Sequence, residues 1–143
     1  MKSDRRLTFV IADDHLVYRD AVKAIIEENG FEVIGEASDG DEAVRLCQNL
    51  EPDMAVLDVS MPRLNGIDAA REIKDARPNT KIVLLTIHAE DQYILSGLHA
   101  GAAAYVTKTR AASNLLEAIA TVCRGETYVS AARGHPPYHQ SQS

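Results

Sequence analysis

The chain has 143 residues, 45% hydrophobic and 25% charged, the size and make-up of one globular domain with its own core. A formal charge of −6 makes the chain a poor candidate for direct nucleic-acid binding, which needs a basic footprint. No apolar run is long enough to span a bilayer and no signal peptide follows the charged start Met1–Arg6, so the expected compartment is the cytoplasm.

Leu7–Ala12 is rich in β-branched residues and is predicted as a first strand, with Asp13, Asp14 and His15 at its carboxyl end. A helix is predicted over Leu16–Asn29. Its apolar stripe is Val17, Ala21, Val22, Ala24, Ile25 and Ile26, and Gly30 is its stop. Phe31–Gly35 reads as a second strand near an edge. Asp39 reads as an N-cap with Glu42 completing a capping box, ahead of a helix to Leu50 that buries Ala43, Leu46, Cys47 and Leu50. Asp53–Leu57 is the third strand, and its continuous apolar run from Met54 fits burial on both faces. Asp58 follows directly, and Met61–Pro62 ends the strand because Pro62 has no N–H for a ladder.

Asn65–Gly66 is a turn signal, followed by a helix over Ile67–Ala76. Lys81–Thr86 is a fourth buried strand. Glu90–Ala100 is a helix with Ile94 and Leu98 inward, ended by Gly101. Ala102–Thr107 is a fifth strand closed by Lys108. Ser113 is expected to cap a last helix to about Cys123 that buries Leu115, Leu116, Ile119, Ala120 and Cys123. Cys47 and Cys123 therefore read as buried free thiols. Five strands alternating with five helices predict an α/β fold: a doubly wound, five-stranded parallel sheet of order 2-1-3-4-5, flavodoxin-like. Residues 1–127 form the expected domain. Residues 128–143, with Pro136–Pro137 and a polar end, read as a linker or disordered tail.

Chemistry-bearing residues recur at the carboxyl ends of strands, the ligand-binding edge of open α/β sheets. Strand one ends in Asp13–Asp14, strand three in Asp58, strand four in Thr86 and strand five in Lys108. In the predicted order, strands one and three are neighbours, so three carboxylates converge. Two such charges about 4 Å apart repel by roughly 4 kcal/mol at an effective dielectric near 20. A divalent cation resolves this, and oxygen-only ligands favour Mg²⁺. Asp14, Asp58 and the Ser60 backbone carbonyl would bind it directly, and Asp13 directly or through water. Asp58 would then accept a phosphoryl group, with Lys108 and the Thr86 hydroxyl on its oxygens. Taken singly, each residue has an ordinary reading as cap, surface lysine or strand threonine; the conjunction at one sheet edge favours a site. His88 and His99 read as surface residues, since no His/Cys spacing supports zinc.

The set Asp13–Asp14, Asp58 with Met61–Pro62, Thr86, Tyr105 and Lys108 resembles the receiver domain of bacterial two-component response regulators, over about Leu7 to Arg124. The resemblance implies phosphorylation of Asp58 by a partner histidine kinase with Mg²⁺, and switch roles for Thr86 and Tyr105. Many receivers carry proline after the lysine; here Thr109 removes the usual reason for a cis bond. Ile11–Arg19 and Arg124–Ser130 resemble the LuxR-type (NarL/FixJ) subfamily, whose members continue into a helix-turn-helix output domain. This chain is read as lacking that domain and not binding DNA itself. The resemblance also implies a homodimer, through helix one and helix five or through the helix four–strand five–helix five face. Two other readings are a receiver-shaped interaction module that needs no phosphate and an aspartyl-phosphate phosphohydrolase. The second would want an Asp-x-Asp pattern, and residue 60 is serine.

Overall fold

The computed structural model describes residues 6–87 and 90–130, and the backbone of 138–140. The elements run β1 (Thr8–Ala12), α1 (Leu16–Glu28), β2 (Glu32–Ala37), α2 (Gly40–Leu50), β3 (Met54–Asp58), α3 (Gly66–Ala76), β4 (Lys81–Thr86), α4 (Asp91–His99), β5 (Ala104–Thr107), α5 (Ala111–Cys123), β6 (Thr127–Val129) and β7 (Tyr138–Gln140). The sheet order is β2-β1-β3-β4-β5-β6-β7. The predicted order 2-1-3-4-5 holds, and two short strands extend it: β6 parallel to β5, and β7 antiparallel to β6.

Period-two alternation divides the core into two layers. Val10, Ala12, Ala55, Leu57, Ile82, Leu84 and Tyr105 face α2, α3 and α4. Phe9, Ile11, Met54, Val56, Val83, Leu85, Ala104 and Val106 face α1 and α5. β3 is buried along its whole length, as its unbroken apolar run requires.

Local signals set the helix starts. Asp39 caps α2 by accepting from Glu42 N at 2.8 Å, and Glu42 Oε1 accepts from Ser38 N at 3.0 Å. Asn65 caps α3 by accepting from Asp68 N at 2.9 Å. Gly66 lies against the end of β3, where a Cβ would fall 2.2 Å from the Asp58 carbonyl oxygen. Gly66→Ala is therefore expected to cost about 3 kcal/mol, the upper end for overpacking. It is also expected to shift the loop after Asp58, read as a lower urea midpoint together with altered amide shifts at Asp58–Ser60.

Four expectations need correction. The buried face of α1 is Val22 and Ile26 with Tyr18 and Ile25 half-buried; Val17 is 84% exposed, and Ala21 and Ala24 also face outward. A helix offers the sheet only one stripe, and 18, 22, 25 and 26 recur at its period where 17, 21 and 24 form the next. In α2, Leu50 lies at the exposed end, 40% accessible. In α5, the helix starts at Ala111, so Ser113 sits inside the first turn and its hydroxyl donates to the Arg110 carbonyl rather than capping. The stripe of α5 that meets the sheet carries Ala111, Leu115, Ala118, Ile119 and Val122, and it leaves Ala120 and Cys123 exposed.

The fourth concerns the expected boundary at 127/128. Tyr128 and Ser130 are fully buried and Val129 nearly so, so the packed unit runs through Ser130. Tyr128 N donates to the Ala103 carbonyl and Ser130 N to the Tyr105 carbonyl, continuing the parallel ladder on the β5 edge. The rest of the expected tail, apart from the backbone of 138–140, lies outside the described residues.

Candidate functional site

β1 and β3 lie side by side with Ala12 opposite Leu57, so Asp13 and Asp58 leave the sheet together. Both continue the alternation of the α1–α5 layer, and both are buried at 3% exposure. Lys108 reaches them from the end of β5. Its Nζ is 2.9 Å from Asp13 Oδ2 and 3.3 Å from Asp58 Oδ2. Asp58 Oδ1 accepts from Ser60 N at 3.3 Å, and Asp13 Oδ1 accepts from His15 N at 2.9 Å. Asp14 and His15 line the open side, with His15 Nδ1 3.3 Å from Asp14 Oδ1. One ligand atom from each of Asp13, Asp14, His15 and Asp58 lies within 4.8 Å of the others.

Burial, reinforced by the Asp13 charge, pushes the Asp58 carboxyl up to about 6; Lys108 and the Ser60 N–H oppose this without cancelling it. Asp13 Oδ2 and Asp58 Oδ2 are buried without a well-aligned hydrogen-bond donor among the described residues, leaving Lys108 as their charge partner. Converging carboxylates with unfilled lone pairs suit a hard divalent cation, so the donor set fits Mg²⁺. The first of the sequence-predicted site residues to lie apart is Thr86, which with Tyr105 sits on the α4 side of the sheet. Both are fully buried. Burial raises the Tyr105 phenol to about 12, countered in part by a side-chain hydrogen bond with Thr86. Gly97 of α4 makes room for the ring, since a Cβ there would lie 3.1 Å from Tyr105 Cδ2. The Lys108–Thr109 peptide bond is trans. His99 is exposed, and His88 lies outside the described residues.

Three residues near the site have no signal in the sequence that connects them to it. Tyr18 of α1 stacks beneath the Lys108 ammonium, 4.4 Å from ring centroid to Nζ. Arg19 Nη1 donates to the Asp13 carbonyl at 2.8 Å, and its Nε is 3.2 Å from Glu36 Oε1. The end of β2 thus supplies a brace rather than a pocket residue; Glu36 also pairs with Lys23, which with Arg19 holds its carboxyl below the usual range. Thr107, opposite Thr86, is buried with a hydroxyl that has no hydrogen-bond partner among the described residues.

Fold and site together define a flavodoxin-like α/β domain whose buried, lysine-closed acidic pocket sits at the switch point of a parallel sheet. The model of the response regulator receiver domain family matches residues 9–120. The chain belongs to that family, a class of signalling domains rather than classical enzymes, and its relatives are LuxR-type response regulators. It is 35% identical over 128 residues to the transcriptional regulatory protein DegU of Brevibacillus brevis, covering 89% of this chain and 54% of DegU. A LuxR-family two-component response regulator from Aurantimonas sp. SI85-9A1 superposes with a TM-score of 0.83 at 31% identity, covering 89% of this chain and 91% of that one. CheY of Borrelia burgdorferi, solved in complex with CheX, BeF₃ and Mg²⁺, matches with a TM-score of 0.79 at 25% identity, covering 82% and 89%. The chain spans about half the length of the curated relatives it matches. Among the described residues, no helix is long and apolar enough to cross a membrane.

Proposed function

We propose that Asp58 accepts a phosphoryl group from a histidine kinase in a Mg²⁺-dependent reaction and thereby switches an interaction surface, in the cytoplasm and in the control of transcription. The observation that carries this reading is the buried Asp58 carboxylate, with Lys108 Nζ 3.3 Å away and Asp13 and Asp14 beside it. In the transfer, an Asp58 oxygen forms a new bond to phosphorus while the donor's bond to phosphorus breaks, and the leaving group takes that electron pair. Lys108 meets the negative oxygens of the incoming group. Mg²⁺, held by Asp13, Asp14, Asp58 and the Ser60 carbonyl, would supply charge neutralisation and orientation when bound. Thr86 and Tyr105 act as the switch pair: the Thr86 hydroxyl turns to the phosphoryl oxygens and the Tyr105 ring holds the inward position beside α4. The CheY complex with BeF₃ and Mg²⁺ supports the same use of this fold.

The exposed apolar residues Leu16, Val17, Ala21 and Ala24 on α1, with exposed Ala120 and Cys123 on the neighbouring α5, favour the α1–α5 face for a homodimer. On the alternative face β6 already pairs with β5. With a net charge of −6, the chain is not itself proposed to touch DNA.

The test is incubation with Mg²⁺ and acetyl phosphate. The native protein is expected to gain one acid-labile phosphoryl group by intact mass, and Asp58→Ala none. No gain in the native protein, or an undiminished gain in the variant, would sink the reading. Light scattering with and without beryllofluoride tests whether assembly follows occupancy of the site.

A further inference from the structure

We propose that Tyr18 is a positioning residue for Lys108, and so sets how well the phosphoryl group is received. The inference rests on the phosphoacceptor reading above and adds a residue to it. Lysine is a flexible chain ending in a point charge, and it helps transfer only if its ammonium waits in place. Asp13 and Asp58 attract that ammonium, but attraction alone does not choose among rotamers. Tyr18 holds the residue at both ends. Its ring face lies under Nζ at 4.4 Å, a cation–π contact, and its phenol donates to the Lys108 backbone carbonyl at 3.1 Å. The two residues are ninety positions apart in sequence, so the clamp exists only because α1 packs beside α5.

The carbonyl that Tyr18 holds also accepts from Ala111 N, at the tight turn Lys108–Arg110 that opens α5. The turn has no side-chain cap of its own at Thr107. The phenol therefore steadies the backbone from which the lysine springs, while the ring steadies its tip. Burial and the charges of Asp13 and Asp58 push the phenol up to about 12, so it keeps its proton as a donor through the neutral range. The competing role is plain filling, because Tyr18 also packs half-buried against the α1–α5 layer. Two substitutions separate them. Tyr18→Phe keeps the ring and its volume but loses the donor; Tyr18→Leu keeps apolar volume and loses the π face.

Phosphoryl uptake from acetyl phosphate with Mg²⁺ is expected to slow about tenfold in Tyr18→Leu, as for loss of a partly desolvated cation–π contact, and about threefold in Tyr18→Phe, as for one neutral hydrogen bond. Alongside it, the Lys108 Cε–Hε signal, assigned by its loss in Lys108→Ala, is expected upfield in the native protein and in Tyr18→Phe, and at a random-coil position in Tyr18→Leu. A native Lys108 signal without the ring-current shift overturns the proposal even if Tyr18→Leu fails to fold. Native uptake rates in folded Tyr18→Phe and Tyr18→Leu overturn it too. If the native protein itself takes up no phosphoryl group, the phosphoacceptor reading fails and the proposal, which rests on it, falls with it; uptake that is normal in the native protein and unchanged in both variants removes the proposal alone.

Discussion

In metal-free buffer at pH 7, Asp58→Asn is expected to unfold at a higher temperature than the native chain while taking up no phosphoryl group. The cause is the position of the carboxylate: 3% exposed, beside Asp13, without an aligned donor to its Oδ2 among the described residues. In the folded chain this carboxyl titrates at about 6, against an ordinary 3.8. Because the folded value is raised, the group favours the fold fully below pH 3.8, and that support drains away as pH climbs to 6. A gap of roughly two pH units corresponds to about 3 kcal/mol lost by neutral pH, or roughly 5–10 °C in Tm for a domain of this size. Asn cannot ionise, so the native and variant curves should converge near pH 4 and separate above pH 6. Mg²⁺ should narrow the gap by binding the native pocket more tightly than the variant's. Calorimetry from pH 4 to 8, in EDTA and in Mg²⁺, decides it. A variant less stable than the native chain in EDTA at pH 7 would mean that Asp58 is a structural residue rather than a strained one.

Tyr128→Ala is expected to lower stability by about 3–5 kcal/mol, as for other large aromatic truncations in cores. Its ring is fully buried in the α1–α5 layer, and its hydroxyl donates to Glu117 Oε1 at 3.1 Å. Ser130 is held by Asn114 Nδ2 at 2.8 Å. Removal of residues 128–143 should act at least as strongly, because it takes the β6 ladder with it and bares the β5 edge. Tyr128→Phe keeps the ring and should cost only about 1 kcal/mol. Urea unfolding of the three forms measures this; native midpoints in Tyr128→Ala and in the truncated chain would return residues 128–130 to the status of a tail.

At Val17, Cys123 and Tyr128 the tertiary environment overrides the local pattern. Tyr128 and Val129 stand near two prolines and a polar run, and composition averaged over that stretch reads as unstructured. The burial that overrides it comes from the neighbouring β5 edge and α5, elements a local reading does not see. Val17 is apolar and still faces outward, because helix phase is set by whichever stripe meets the sheet. Cys123 is exposed for the same reason, since Ala118, Ile119 and Val122 form the stripe of α5 that meets the sheet.

What the amino-acid order determined alone was the order of the elements from β1 to α5 and the identity of the residues at the carboxyl ends of β1, β3, β4 and β5. Apolar runs, caps and turn residues are short-range signals, and a buried parallel strand followed by a carboxylate is legible within a dozen residues. The packing of the layers decided the rest: that Lys108 lies within 3.3 Å of both Asp13 and Asp58, that Tyr18 underlies it, and that Arg19 braces the Asp13 backbone. Those contacts join residues up to ninety-five positions apart. They depend on the right-handed crossovers that set α1 and α5 on one face of the sheet, which no local pattern of side chains encodes.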